Sequence, residues 1–103
     1  MKIIDAHLHL FPEPWADEVA RGVGHENTVE HLRLAYGELG IVHGVVMGNR
    51  SLETDRHDYP ADLFHYCVGL DRMILHGGKS IPEDLAGQVE EHLKRDNCCG
   101  VKL

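Results

Sequence analysis

Residues 27–47 read NTVEHLRLAYGELGIVHGVVM, and the change of pattern inside this stretch decides the fold class. Up to Gly40 the apolar side chains of Val29, Leu32, Tyr36 and Leu39 recur at helical spacing. Asn27 stands as a cap, Glu30 follows three residues later as in a capping box, and Gly40 ends the pattern. The spacing predicts an amphipathic helix lying on something flat. From Ile41 the chain turns β-branched and almost continuously apolar, which suits a strand covered on both faces.

The same alternation continues outward in both directions. Upstream, MKIIDAHLHLF (residues 1–11) predicts a first strand near residues 2–9. The Pro- and Gly-marked stretch after it reads as a long loop with a short helix over residues 13–20. Downstream, LFHYCVGLD predicts a strand near residues 63–70. Ser80 and Glu83 form a second capping box before Leu85, Val89 and Leu93, with Glu83 and Asp84 in the first turn and Lys94 and Arg95 in the last. CCGVKL ends the chain as a strand near residues 98–103, after the strand at residues 41–47 and the one near 63–70. Buried strands alternating with amphipathic helices are the signature of parallel α/β architecture. A complete eight-fold barrel takes about 250 residues, so one domain of 103 residues with four such strands is expected to be the N-terminal part, strands 1 to 4, of a (β/α)8 TIM barrel. Its exposed sheet edge offers a route to self-association.

Composition narrows the function classes. The chain is 43% hydrophobic and 26% charged, ordinary globular values. A net charge of -7 disfavours a surface that tracks phosphates, so no nucleic-acid partner is expected. Three cysteines, two of them adjacent at 98 and 99, form neither a disulfide framework nor a zinc knuckle, and read as small buried residues in a reducing compartment. Polar residues interrupt every apolar run well short of a membrane span, so no membrane partner and a cytoplasmic location are expected.

The chemistry sits in the first strand. Strand periodicity places Asp5, His7 and His9 on one face and Ile4, Ala6, Leu8 and Leu10 on the other. Two histidines at i and i+2 can aim both imidazoles at one metal ion, and at the C-terminal end of a barrel strand they lie where active sites are built. With its preceding aspartate and following loop, DAHLHLF resembles the opening motif of the amidohydrolase superfamily, in particular its amidohydrolase-related branch of metal-dependent TIM-barrel hydrolases and decarboxylases. The resemblance extends to YPADLFHYCVGLD at the third strand and to CCGVKL, similar to a Gly-x-Lys-Leu fourth strand.

The resemblance implies a divalent metal ion, zinc, held by His7 and His9, with Asp5 supporting the site from behind. It implies a small-molecule substrate, an amide, ester or lactone, attacked by a metal-activated water. Decarboxylation on the same scaffold is the alternative within the family, and an inactive fragment or interaction module the alternative outside it. The family's other ligands, on strands five, six and eight, have no counterpart here, so the chain by itself is expected to be inactive. PHP phosphoesterases share the H-x-H strand but follow it with a Ser/Asp/Gly-rich turn, and TatD-like nucleases place a glutamate on strand four where Lys102 stands here.

Lys102 shares a face with Gly100 and is a further candidate for metal or substrate. The resemblance implies a carbamate bridging two metals, as in some superfamily members; the alternatives are an ammonium that pairs with a buried carboxylate, Asp5 being a candidate, or that meets an acidic substrate. Asn49, Arg50 and His57 lie in a long polar loop expected on the catalytic face and are candidates for substrate contact. His43 and His65 read as interior residues of their strands, and His25, His31 and His92 as surface residues. HGGKS (residues 76–80) lacks the glycine spacing of a phosphate loop. Phe11 and Trp15 either wall a pocket or staple the loop.

Overall fold

In the computed structural model, which describes residues 1–48, 52, 54–70 and 84–103, the chain is α/β. Strands β1 (Ile3–Leu8), β2 (Ile41–Met47), β3 (Phe64–Gly69) and β4 (Cys98–Lys102) form one parallel sheet in the order β1-β2-β3-β4. Helices α1 (Pro14–Gly22) and α2 (Val29–Leu39) separate the first two strands. A 3-10 turn (Thr54–His57) lies between β2 and β3, and α3 (Leu85–Leu93) precedes β4. The strands fall within one residue of the apolar runs that announce them. No helix among the described residues is long and apolar enough to cross a membrane.

One face of the sheet carries the core. Leu8, Val46, Phe64, Tyr66 and Val68 pack with Leu10, Leu63 and Tyr36 of α2, and Val89 of α3 lies against them. Fully burying side chains such as Val46, Phe64 and Val68 contributes about 1.5–3 kcal/mol each. Helix α2 lies over β2 and α3 over β4, and His57 of the 3-10 turn stacks on Tyr66. Helix α2, the 3-10 turn and α3, one described element from each crossover, therefore lie on the same face, and the strands follow one another in chain order.

Local chemistry explains where the helix ends depart from expectation. Thr28, not Asn27, caps α2: its side chain accepts from the His31 N–H at 3.1 Å. Glu30 consequently falls one position short of a capping box. Asn27 instead donates to the Phe11 carbonyl (2.7 Å) and to Asp17 (3.1 Å), tying the long loop to α1. Gly40 ends α2 in the left-handed conformation (φ 71°), as the pattern predicts. Asp84 caps α3 by accepting from Gly87 N–H, rather than standing in its first turn; Ser80 and Glu83 lie outside the described residues. Lys94 is the C-terminal cap and Arg95 follows the helix, where it donates to the Thr54 carbonyl, pairs with Asp58 and lies over the Tyr66 ring.

His92 is a correction. It is not a surface residue but fully buried. Helical spacing from Leu85 through Val89 brings position 92 onto the apolar stripe and turns Leu93, half exposed, outward. The His92 Nε2–H donates to the Leu52 carbonyl at 2.7 Å, which leaves Nδ1 to accept from the Tyr66 hydroxyl at 2.8 Å. Burial pushes the Tyr66 phenol up to about 12.

Candidate metal centre

The histidine motif sits where β1 ends, on the face opposite the core. Leu8 and Leu10 point into the core while His7 and His9 are exposed on the other side. Their Nε2 atoms approach to 3.3 Å. Two imidazole nitrogens bound to one tetrahedral zinc at 2.0–2.1 Å stand about 3.3–3.4 Å apart, so the side chains already hold the span that a shared ion requires. The His9 Nδ1 lies 3.1 Å from the Met47 carbonyl oxygen at the end of β2. A carbonyl only accepts, so Nδ1 carries the proton and the lone pair of the His9 Nε2 accepts from the His7 Nε2–H; an ion shared by the two rings would take the place of that proton. Phe11 stacks on the His9 ring (centroids 5.2 Å, 11° between planes) and Trp15 packs on Phe11 at 5.2 Å. These two aromatics thus staple the loop against the histidine.

Asp5 does not share the histidine face, contrary to strict alternation. Asp5 pairs with Gly44 and Leu8 with Val46, so β1 spends one more residue than β2 between these points. This bulge resets the alternation. Asp5 lies beside Gly44, on the side where the Tyr36 hydroxyl donates to its Oδ2 at 2.8 Å. Its Oδ1 accepts from the His7 backbone N–H at 3.2 Å. Asp5 therefore bonds the backbone at His7 within the bulge and the phenol of Tyr36. Burial, followed by the hydrogen bond to Asp5, raises the Tyr36 phenol well above its ordinary range.

Gly44 makes that contact geometrically feasible. A Cβ at this position would lie 2.6 Å from the Tyr36 hydroxyl and 2.6 Å from Leu8 Cδ2. Sequence reading overlooked both Gly44 and Tyr36 as site-supporting residues; a glycine within an otherwise β-branched strand is the available signal.

Lys102 ends β4 level with Gly69 on β3. Its Cδ lies 3.5 Å from where a Gly48 Cβ would project, and that Cβ would stand 2.7 Å from Gly69 Cα. Gly48 is thus required by the close approach of the Gly69 backbone, and the lysine stem passes beside it. His43 and His65 lie further back on the sheet and pair with each other, Nε2 to Nδ1, at 2.6 Å.

His57 is a second correction. It has no exposed surface and packs between Tyr66 and His92 (centroids 4.7 and 4.8 Å), so it is a core residue and not a substrate contact. Its 3-10 turn folds inward onto the helix-covered face. Asn49 and Arg50 lie outside the described residues.

Among the described residues, no group of three or more His, Cys, Asp or Glu side chains is arranged to hold a metal ion. Comparisons with protein-family models, with curated proteins and with solved structures returned no match.

Proposed function

We propose that this chain forms the first four strands of an amidohydrolase-type (β/α)8 barrel and carries the histidine pair of a metal-dependent hydrolase acting on a small-molecule amide, ester or lactone. The observation that carries the reading is the 3.3 Å approach of the two Nε2 atoms, with the tautomer of His9 fixed by Met47. The barrel reading is supported by the sequential strand order, with the described elements α2, the 3-10 turn and α3 on one face. A doubly wound sheet, by contrast, reverses its strand order and covers both faces.

His7 and His9 would hold zinc. When bound, that ion lowers the pKa of a ligated water to about 7 and polarises a carbonyl. The Met47 carbonyl and the Phe11 ring orient His9, Asp5 bonds the backbone of the bulge at His7, and Lys102 at the end of β4 would supply an ammonium for an acidic substrate. Two imidazoles are one donor short of the usual catalytic set. The chain alone is therefore expected to bind zinc weakly and to leave ester, lactone and amide panels unhydrolysed.

Zinc titration calorimetry on wild type, His7→Ala and His9→Ala, with circular dichroism to monitor folding, tests this reading. Either variant should weaken zinc binding by about 100-fold or more, and Asp5→Ala by about 10-fold, through loss of orientation. Zinc binding unchanged in His7→Ala and His9→Ala would overturn the metal assignment. Tight stoichiometric zinc with turnover lost in His7→Ala would show instead that this chain completes the site by itself.

A further inference from the structure

We propose that Cys67 and Cys99 form a dithiol that oxidises reversibly to a disulfide linking β3 to β4. Their Sγ atoms stand 3.9 Å apart. Two features of β4 create the pair. Tyr66 is level with Cys98, yet the next residue of β3, Cys67, is level with Gly100. β4 thus contains one extra residue at this point, and the bulge swings Cys99 alongside Cys67. Gly100 leaves the intervening space open, because a Cβ there would lie 3.4 Å from the Cys67 sulfur. Cys98 behaves differently: it packs against the core, with its Sγ 3.7 Å from the Gly100 carbonyl. The register of the sheet therefore selects Cys67 as the partner of Cys99, although Cys98 is its neighbour in the chain.

The oxidant is a peroxide. The exposed Cys99, as thiolate, attacks one peroxide oxygen; the O–O bond breaks and water leaves after protonation, giving a sulfenic acid. The Cys67 sulfur then attacks the Cys99 sulfur, the S–S bond forms, the S–O bond breaks and a second water departs. Two thiols lose two electrons and two protons in total, and one hydrogen peroxide becomes two waters. The order of events follows from surroundings. Burial, then the neighbouring Cys99, pushes the Cys67 thiol up to about 11, so Cys67 is the resolving partner. Closing the bond shortens the sulfur separation from 3.9 Å to about 2.05 Å.

The test treats the dilute, reduced chain with stoichiometric hydrogen peroxide, alkylates the remaining thiols under denaturing conditions, and maps the peptides by mass spectrometry. Free thiols should fall from three to one, with a Cys67–Cys99 peptide link, Cys98 alkylated, and three thiols restored by dithiothreitol. Cys98→Ser should retain the link, whereas Cys67→Ser and Cys99→Ser should lose it. A link through Cys98, a crosslink between chains, or Cys99 advancing to sulfinic acid with Cys67 still alkylated would overturn the proposal; the wild-type map decides even if a variant fails to fold.

Discussion

At Gly44 a single hydrogen atom separates a working contact from a collision. The position faces Leu8, Tyr36 and Phe64, and the hydroxyl that reaches Asp5 occupies the space a side chain would fill. Gly44→Ala should therefore cost about 1–3 kcal/mol through overpacking, even though alanine suits a strand no worse than glycine. Urea denaturation measures this, and a stability within 0.5 kcal/mol of wild type, the ordinary scatter of surface substitutions, would show that α2 withdraws without penalty. A zinc affinity that falls alongside stability is also expected, since the Tyr36–Asp5 bond steadies the backbone of His7.

Among the elements, α2 depends most visibly on one polar atom. The Thr28 hydroxyl satisfies the His31 N–H at the start of the helix, and Thr28→Ala should cost about 1 kcal/mol, seen as a melting temperature about 4–8 °C lower. Asn27→Ala should leave the helix start intact, because Asn27 binds Phe11 and Asp17 instead. Equal helix destabilisation by the two variants would contradict the assignment of the cap. Strand β1 illustrates the complementary case, in which an extra residue against its neighbour changes which face a side chain serves.

For the molecule as a whole, Tyr36, Tyr66 and Cys67 are groups among the described residues that make stability fall in alkali. Burial raises Tyr36, Tyr66 and Cys67, the last two to about 12 and about 11. Each stays neutral in the folded chain while its unfolded counterpart, with ordinary values of 9.0 for the thiol and 10.0 for the phenols, loses its proton. The unfolded state then binds fewer protons, so stability falls as pH rises. The contribution is fully present below pH 9 and is lost progressively from there to about pH 12. Denaturation midpoints measured across that window should decline steadily, and Tyr66→Phe should flatten the decline above pH 10. A wild-type profile level across the window would contradict the burial of these groups.

What the sequence determined by itself is the run of strands and helices and the placing of His7 and His9 at the end of the first strand. Those features rest on local periodicity and on terminal residues such as Gly40, which act over a few positions and need no distant partner. Tertiary structure alone decided that Asp5 turns to Tyr36, that His57 and His92 are buried, and that Cys99 faces Cys67 rather than its chain neighbour. Each of these depends on register against an adjacent strand or on which helix face meets the sheet. A bulge of one residue reverses a side chain's face without changing the composition of its strand. The covered face of the sheet accommodates the His92 imidazole because Tyr66 and the Leu52 carbonyl lie within reach of it, contacts made by residues 26 and 40 positions away along the chain.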